Sequence, residues 1–333
     1  MNDWQMDSSP TEKTPGRAGN RDDNDIETVR ITTGARLHFG LLDTAAPFGG
    51  VGVMVDQPST QITVRPHSHF EALGRIAQRA NEIARGWSDR IGRDTLPSCR
   101  VEATQTAAAH CGLGSGTQLA MAIAEGIARF EGIEMPLEEL AVDVAGRGKR
   151  SAVGVHGYIR GGLISENADS PTSLNPICDR IELPEAWRVL VVRPAVSAQP
   201  ISGEAEIKQF AALGSAVASA KSHLKDVLAN QIVPAAEAGD LDGFTDAIHR
   251  YNLASGMLFA NVQGGPYHGD DVARLIAQLI EAGGRGVGQS SWGPGVFTWF
   301  DSAESMDRFA ERLPPHAHVI AKSQPLNRGR SLG

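Results

Sequence analysis

The stretch His110–Phe130, HCGLGSGTQLAMAIAEGIARF, constrains the fold of this chain more than any other. Three glycines at alternate positions, Gly112, Gly114 and Gly116, run directly into a helix of alanines and large apolar residues. Two physical readings stand side by side. A glycine turn exposes backbone N–H groups and the next helix adds the positive end of its dipole. The segment could therefore hold a phosphate, with Ser115 and Thr117 donating hydroxyls. Alternatively, the glycines let a strand turn tightly into a closely packed helix. No lysine followed by serine or threonine closes the loop, so it is not a Walker loop. The dinucleotide fingerprint is missing too, because the spacing differs and no well-placed acidic residue follows about twenty positions on. The helix sets Leu119, Ile123, Ile127 and Phe130 on one side, the stripe of a helix buried against a sheet, and leaves Glu125 off it, in solvent.

The flanking chain predicts what that helix packs on. TVRITTGARLHFGLLD and GGVGVMVDQPSTQITVRP read as extended segments joined by a glycine-bearing turn. HFEALGRIAQRANEIARGW has helical spacing, and SCRVEATQTA reads as the strand leading into the glycines. Pro136 opens a further helix, PLEELAVDVAGRG, which ends at Gly146 to Gly148. WRVLVVRP is a strand closed by Pro194, and the chain from Ser202 to Ala260 is mainly helical. DVARLIAQLIEAG is a helix that leads into GRGVGQSSWGPGVFTWF, in which VFTWF is strand-like. This order predicts an α+β fold in two halves, 28–190 and 191–326, meeting near residues 184–200. A polar leader at 1–27, rich in turn formers, is expected to be disordered, and a tail at 327–333 to be loose.

Bulk properties exclude several classes. With 41% hydrophobic and 21% charged residues the chain is a globular mixture, and its net charge of -8 argues against a wholesale nucleic-acid binder. No apolar run reaches membrane-spanning length, and the N-terminus lacks the apolar core of a signal peptide. Cys99, Cys111 and Cys178 are too few and scattered for a disulfide framework or a structural zinc site. The expectation is a cytoplasmic protein.

The order of a strand, CGLGSGTQLA, a helix, and a late GVGQSSWGPGVFTW resembles the GHMP kinase superfamily. ITTGARLHFGLLD, GLGSGTQ and AGRGKRSAVGVHGYIRGGLI together resemble a non-kinase branch of it, the β-ribofuranosylaminobenzene 5'-phosphate synthases, from about Ile31 to Lys322. The resemblance implies a two-domain GHMP fold, with a ribosomal-S5-domain-2-like N-terminal half and a ferredoxin-like C-terminal half. It implies decarboxylating transfer of phosphoribose from phosphoribosyl pyrophosphate (PRPP) to 4-hydroxybenzoate or 4-aminobenzoate, in tetrahydromethanopterin biosynthesis. It also implies a magnesium (Mg2+) requirement and a homodimer. The chain departs from the kinases in two places. Their loop commonly ends GSSA where this one reads GSGT, and GKRSAVGVHGY lacks the carboxylate that kinases often supply there. An ATP-dependent small-molecule kinase and an inert phosphoribosyl- or nucleotide-binding protein remain the alternatives.

The implied chemistry needs cationic and N–H donors for phosphates and orientation for two substrates. Arg36 is the first candidate for a phosphate or carboxylate partner. His38 could bond the ring hydroxyl or the ribose, or be a buried strand histidine. Arg147, Lys149 and Arg150 offer phosphate contacts, Ser151 could assist, and His156 could orient a substrate or serve structure. Gly112, Gly114, Ser115, Gly116 and Thr117 form the phosphate loop. Gln289, Ser290, Ser291 and Trp292 border the cleft, with Trp292 either against the benzoate ring or in the core. Asp43 is the leading metal candidate, or else a turn cap, and Asp56 is second. His110 and Glu125 are possible acid–base groups. Tyr267, His268, Asp270 and Asp271 are polar cleft candidates, Asp270 doubling as an N-cap.

Overall fold

A computed structural model describes residues 28–167, 171–195 and 213–333. The expected leader, and residues 202–212 of the expected helical stretch, lie outside the described residues. Strands β1 (Val29–Leu41) and β2 (Gly50–Pro66) form a long antiparallel hairpin, because both carry β-branched residues on a surface buried from each side. β2 is long enough to serve two further partners along its other edge. Its far end pairs with β4 (Cys99–Gln105), which also carries β3 (Glu71–Ala72), and its start pairs with β5 (Leu163–Glu166). β5 in turn carries β6 (Ile177–Ile181).

Helices α1 (Ala77–Arg90), α2 (Ser115–Phe130) and α3 (Val153–Arg160) belong to this half. The expected stripe on α2 proves too narrow: every residue from Ala120 to Ala128 is buried, Glu125 included. Alanines and Gly126 let the helix approach its neighbours on all sides, and a methyl on Gly126 would stand 2.8 Å from Val64 Cγ2. The helix expected after Pro136 is a short turn, Leu137–Glu139, running into a π-helical turn, Leu140–Val144.

The second half comprises β7 (Arg188–Pro194), helices α4 (Ala218–Val227), α5 (Leu241–Met257) and α6 (Asp270–Glu281), β8 (Arg285–Gln289), β9 (Val296–Phe300), helix α7 (Ala303–Ala310) and β10 (Ala317–Ser323). Its sheet runs β10-β7-β9-β8, the strand order of a ferredoxin-like βαββαβ unit with extra helices in its first crossover. All of β7 lies in this sheet, so the halves divide before Arg188, a little earlier than 190/191. One core joins them: Leu37, Phe39 and Val53 pack with Trp187, Phe244, Phe297 and Trp299, and the Phe39 and Phe297 rings stand 5.2 Å apart.

The tail is not loose. Ser331–Leu332 forms β11 against β1, and Arg30 and Gly333 exchange backbone hydrogen bonds of 2.8 and 3.0 Å. No helix among the described residues is long and apolar enough to cross a membrane.

Candidate active site

A cleft of about 710 Å³ opens where the halves meet. β1 contributes Arg36 and His38, the start of α2 contributes Thr117, and the loop before α3 contributes Arg147, Lys149, Arg150 and Ser151. From the second half come Asn252 and Ser255 of α5, then Phe259 and Gln263, and the β8–β9 turn adds Gln289, Ser291 and Trp292. Four aromatic residues, Phe39, Phe48, Phe259 and Trp292, share this lining with the four cations, and the Phe259 and Trp292 rings meet edge to face at 5.1 Å.

The glycines of the opening segment divide their work. Gly112 has φ +79°, and a side chain on it would fall on the carbonyl oxygen of Ser290, because the two glycine-rich turns touch backbone to backbone. Ser290 Oγ fastens them, donating to Gly112 O at 2.7 Å and accepting from His38 N–H at 3.0 Å. Gly114, at φ +66°, precedes α2, and a Cβ there would stand 3.1 Å from Arg36 Cβ. A Cβ on Gly116 would stand 3.4 Å from Arg147 Nη2. Gly112 is thus a packing glycine, whereas Gly114 and Gly116 let two arginines lie close to the first turn of α2. The N–H groups of Thr117 and Gln118 both turn back to Gly114 O. Those of Ser115 and Gly116 have no intrahelical acceptor, which leaves a positive helix end beside two guanidinium groups.

Arg36 Nη1 donates to Ser291 Oγ at 3.2 Å, while its buried Nε has no hydrogen-bond partner among the described residues. Burial lowers its pKa to about 10, with Glu166 opposing the shift, so it stays charged near neutrality. A half-buried guanidinium with a buried spare donor suits an anion.

Beside it, His38 Nε2 lies 3.0 Å from Ser151 Oγ. Burial, and then the Arg36 charge, push the imidazole well below its usual range, so His38 is neutral. Behind Ser151 lies Glu166, the fully buried last residue of β5. Its Oε2 accepts Ala152 N–H at 2.6 Å, and the Ser151 hydroxyl lies beside the same carboxyl and favours its ionised form. Burial raises this carboxyl to about 7 against these polar neighbours and the Arg36 charge. Sequence reasoning missed Glu166. Its one signal was a carboxylate ending a short strand that opens on apolar residues, GGLISE.

Several expected site residues are placed elsewhere. Asp43 does not line the cleft. Its carboxylate accepts from Thr44 N–H at 2.7 Å, Ala216 N–H at 2.8 Å and Lys221 Nζ at 3.0 Å, and also from Ser215 Oγ. Burial opposes ionisation, but these donors prevail and hold its pKa below the ordinary value. This is the capping alternative, not a metal ligand. No carboxylate lines the cleft among the described residues, so protein ligands for a resident magnesium ion do not fit here.

His156 is buried outside the lining with Nε2 2.7 Å from Asn175 O, which makes it structural. Glu125 is clamped by Arg330 at 2.9 and 2.7 Å and by Tyr158 at 2.6 Å, and therefore has no acid–base role in the cleft. Asp56 binds Ser323 Oγ and Gln324 N–H, and His110 lies outside the lining. Gln289 touches the cleft, yet its amide braces the turn through His268 N–H, Ser291 O and Gly293 O. Tyr267 and His268 are buried outside the lining, and Asp270 and Asp271 begin α6 after Gly269.

The family models for the GHMP kinases N terminal domain and the GHMP kinases C terminal region match residues 74–161 and 232–318, together more than half of the chain. Beta-ribofuranosylphenol 5'-phosphate synthase from Methanothermobacter thermautotrophicus is 29% identical over 303 residues, covering 83% of this chain and 89% of the relative. The protein of that name from Archaeoglobus fulgidus is 26% identical over 326 residues, covering 90% and 98%. Among solved structures, the Methanococcus jannaschii mevalonate kinase aligns with a TM-score of 0.64 at 11% identity, over 90% of this chain and 98% of that one. That last likeness is one of fold.

Proposed function

The chain belongs to the GHMP kinase superfamily, and from that premise we propose that it is a decarboxylating phosphoribosyltransferase of the β-ribofuranosylphenol 5'-phosphate synthase type. It joins PRPP to 4-hydroxybenzoate or 4-aminobenzoate and releases carbon dioxide and pyrophosphate, as a step toward tetrahydromethanopterin. The observation that carries this reading is the arrangement around Arg36. A half-buried guanidinium whose buried Nε is unpartnered lies against the start of α2, in a cleft that also holds Arg147, Lys149, Arg150 and four aromatic rings.

The chemistry asks for what these residues offer. Pyrophosphate leaves as the ribose C1 gains oxocarbenium character, and the ring carbon bearing the carboxylate attacks from the opposite face, giving the β product. Carbon dioxide departs where a proton otherwise would, so no base is needed at that carbon. Cations and helix N–H groups stabilise the departing charge, while Trp292 and Phe259 give the flat acid an apolar wall. Neutral His38 presents a hydrogen-bonding group without adding charge. Magnesium, in this reading, arrives on the donor's diphosphate and needs no protein carboxylate. A cytoplasmic homodimer completes the proposal.

The test uses PRPP, magnesium and either acid labelled in its carboxyl group. Label released only when PRPP is present supports the reading. No release from folded protein with either acid overturns it, and ATP consumption then separates a kinase from an inert binder.

A further inference from the structure

We propose that Glu166 is the proton store of the cleft, reached from His38 through the Ser151 hydroxyl, and that it takes up and returns the proton of the acceptor's para substituent. This inference rests on the phosphoribosyl-transfer reading and adds a residue to it.

The geometry begins with an oddity. Glu166 is fully buried, its Oε2 is held by Ala152 N–H, and its Oε1 has no partner in hydrogen-bonding geometry among the described residues. A buried carboxyl with a spare oxygen is costly as a permanent anion, and so is suited to hold a proton part of the time. The groups that act on it come from several elements: Arg36 on β1, Ser151 before α3, Tyr251 on α5 and Cys178 on β6. Arg36 is the cation among them, and it keeps the ionised form accessible.

Ser151 connects this carboxyl to the cleft. Its Oγ accepts Val153 N–H at 3.3 Å and stands 3.0 Å from His38 Nε2, and the hydroxyl lies beside the Glu166 carboxyl, close enough to favour its ionised form. A hydroxyl has one hydrogen. When Ser151 gives it to Glu166, His38 must donate through Nε2, which places the imidazole lone pair on Nδ1. His38 lines the cleft, and its Nδ1 makes no hydrogen bond among the described residues.

The step balances. The para O–H or N–H proton passes to His38 Nδ1 as the Nε2 proton moves to Ser151 Oγ and the hydroxyl proton moves to Glu166. The electron pair left on the para atom flows through the ring to form the bond to ribose C1, and pyrophosphate takes the C1–O pair. When the ring–carboxylate bond breaks, carbon dioxide leaves and the pair restores aromaticity. The para atom then recovers its proton by the reverse path, so Glu166 ends as it began.

The test joins spectroscopy to kinetics, using wild-type protein with Glu166→Gln, Ser151→Ala and Glu166→Asp. With ¹⁵N-labelled histidine, and His38→Gln to assign the signal, His38 is expected in the Nε2–H form. Its nitrogen shifts should change in both Glu166→Gln and Ser151→Ala, the second variant serving if the first fails to fold. In turnover, wild-type kcat should rise with pH through a midpoint near 7, matching the Glu166 carboxyl. Glu166→Gln should lose that limb and roughly 10²-fold in kcat while keeping its KM for PRPP, and Glu166→Asp should restore the limb. An unchanged limb in Glu166→Gln, or unchanged His38 shifts in both variants, overturns the relay while wild-type turnover keeps the reaction. Absence of wild-type turnover overturns the reaction and the catalytic use of the relay together, whatever the nitrogen spectra show.

Discussion

Gly112 and Ser290 touch backbone to backbone, and the Ser290 hydroxyl closes the contact with a 2.7 Å hydrogen bond to Gly112 O. The contact joins a loop of the first half to a turn of the second, 178 residues away in sequence, at the edge of the cleft. A phosphate-loop glycine and a packing glycine can look identical in sequence; only the position of the missing Cβ tells them apart.

Gly112→Ala should therefore damage the fold. The added methyl meets a carbonyl oxygen, and φ +79° is unfavourable for alanine. A loss of about 2–4 kcal/mol is expected in urea denaturation. Gly116→Ala is the control, since its methyl meets only the far end of Arg147 at 3.4 Å and alanine favours a helix. Its stability should hold within about 1 kcal/mol, while its PRPP affinity falls. Equal stability of the two variants would contradict this division of labour.

Arg330 secures the C-terminal tail by gripping a carboxylate inside α2. Burial disfavours ionised Glu125, but hydrogen bonds from Arg330, Tyr158 and Arg129 outweigh it and depress the pKa. Arg330→Met removes one partner of a buried pair and should cost about 3–5 kcal/mol at neutral pH. Because the folded pKa lies below the unfolded one, the stabilisation is present above the ordinary carboxylate range and is lost as pH falls through the folded value. The gap between wild type and variant should therefore narrow on acidification, as read from denaturation midpoints at stepped pH. A constant gap would show that Arg330 acts by packing alone.

How much of this was legible in the sequence follows from the range of each interaction. β1, β2, β4, β7 and α6 announce themselves by local periodicity, and Arg36, His38 and the 147–151 cations reach the cleft from segments already marked by their glycines. Glu125 was misread because a one-sided stripe presumes one covered face, whereas α2 is enclosed all round. Its partner Arg330 lies 205 residues away, beyond any local pattern. Asp43 fails as a metal ligand for the same reason: Lys221, which claims it, is 178 residues distant. Glu166 sits on a short strand where burial depends on β2 and β6 on either side, and nothing in four residues can report that.

Glu166 and His38 make opposing contributions to stability against pH. Glu166 is raised from 4.5 to about 7, so its contribution is present below the unfolded value and is lost as pH rises through about 7. His38 is lowered well below 6.5, so its contribution is present above 6.5 and is lost as pH falls toward its folded value. Between 4.5 and 6.5 the two slopes oppose each other. Glu166→Gln should therefore make stability fall more steeply on acidification than in wild type, and His38→Gln should make it fall less steeply. Parallel profiles for all three proteins would mean that neither group changes its proton affinity on folding.

Arg36 and Trp292 should separate the two substrates. Arg36 places a half-buried cation against the start of α2, where the donor's phosphates are proposed to lie, and Trp292 stands edge to face with Phe259 in the cleft lining. Arg36→Ala removes charge-assisted bonds each worth about 1.5–3 kcal/mol, so kcat/KM for PRPP should fall at least about tenfold, with a smaller change in KM for the benzoate. Arg36→Lys should restore little, because an ammonium group lacks the second donor arm. Trp292→Ala should do the reverse, raising KM for the benzoate by about two- to tenfold with loss of a ring contact worth about 0.5–1.5 kcal/mol, and sparing PRPP. Initial rates with each substrate varied at saturating partner decide the matter. If both variants weaken the same substrate, the two residues serve one subsite and the orientation proposed for the pair of substrates is wrong.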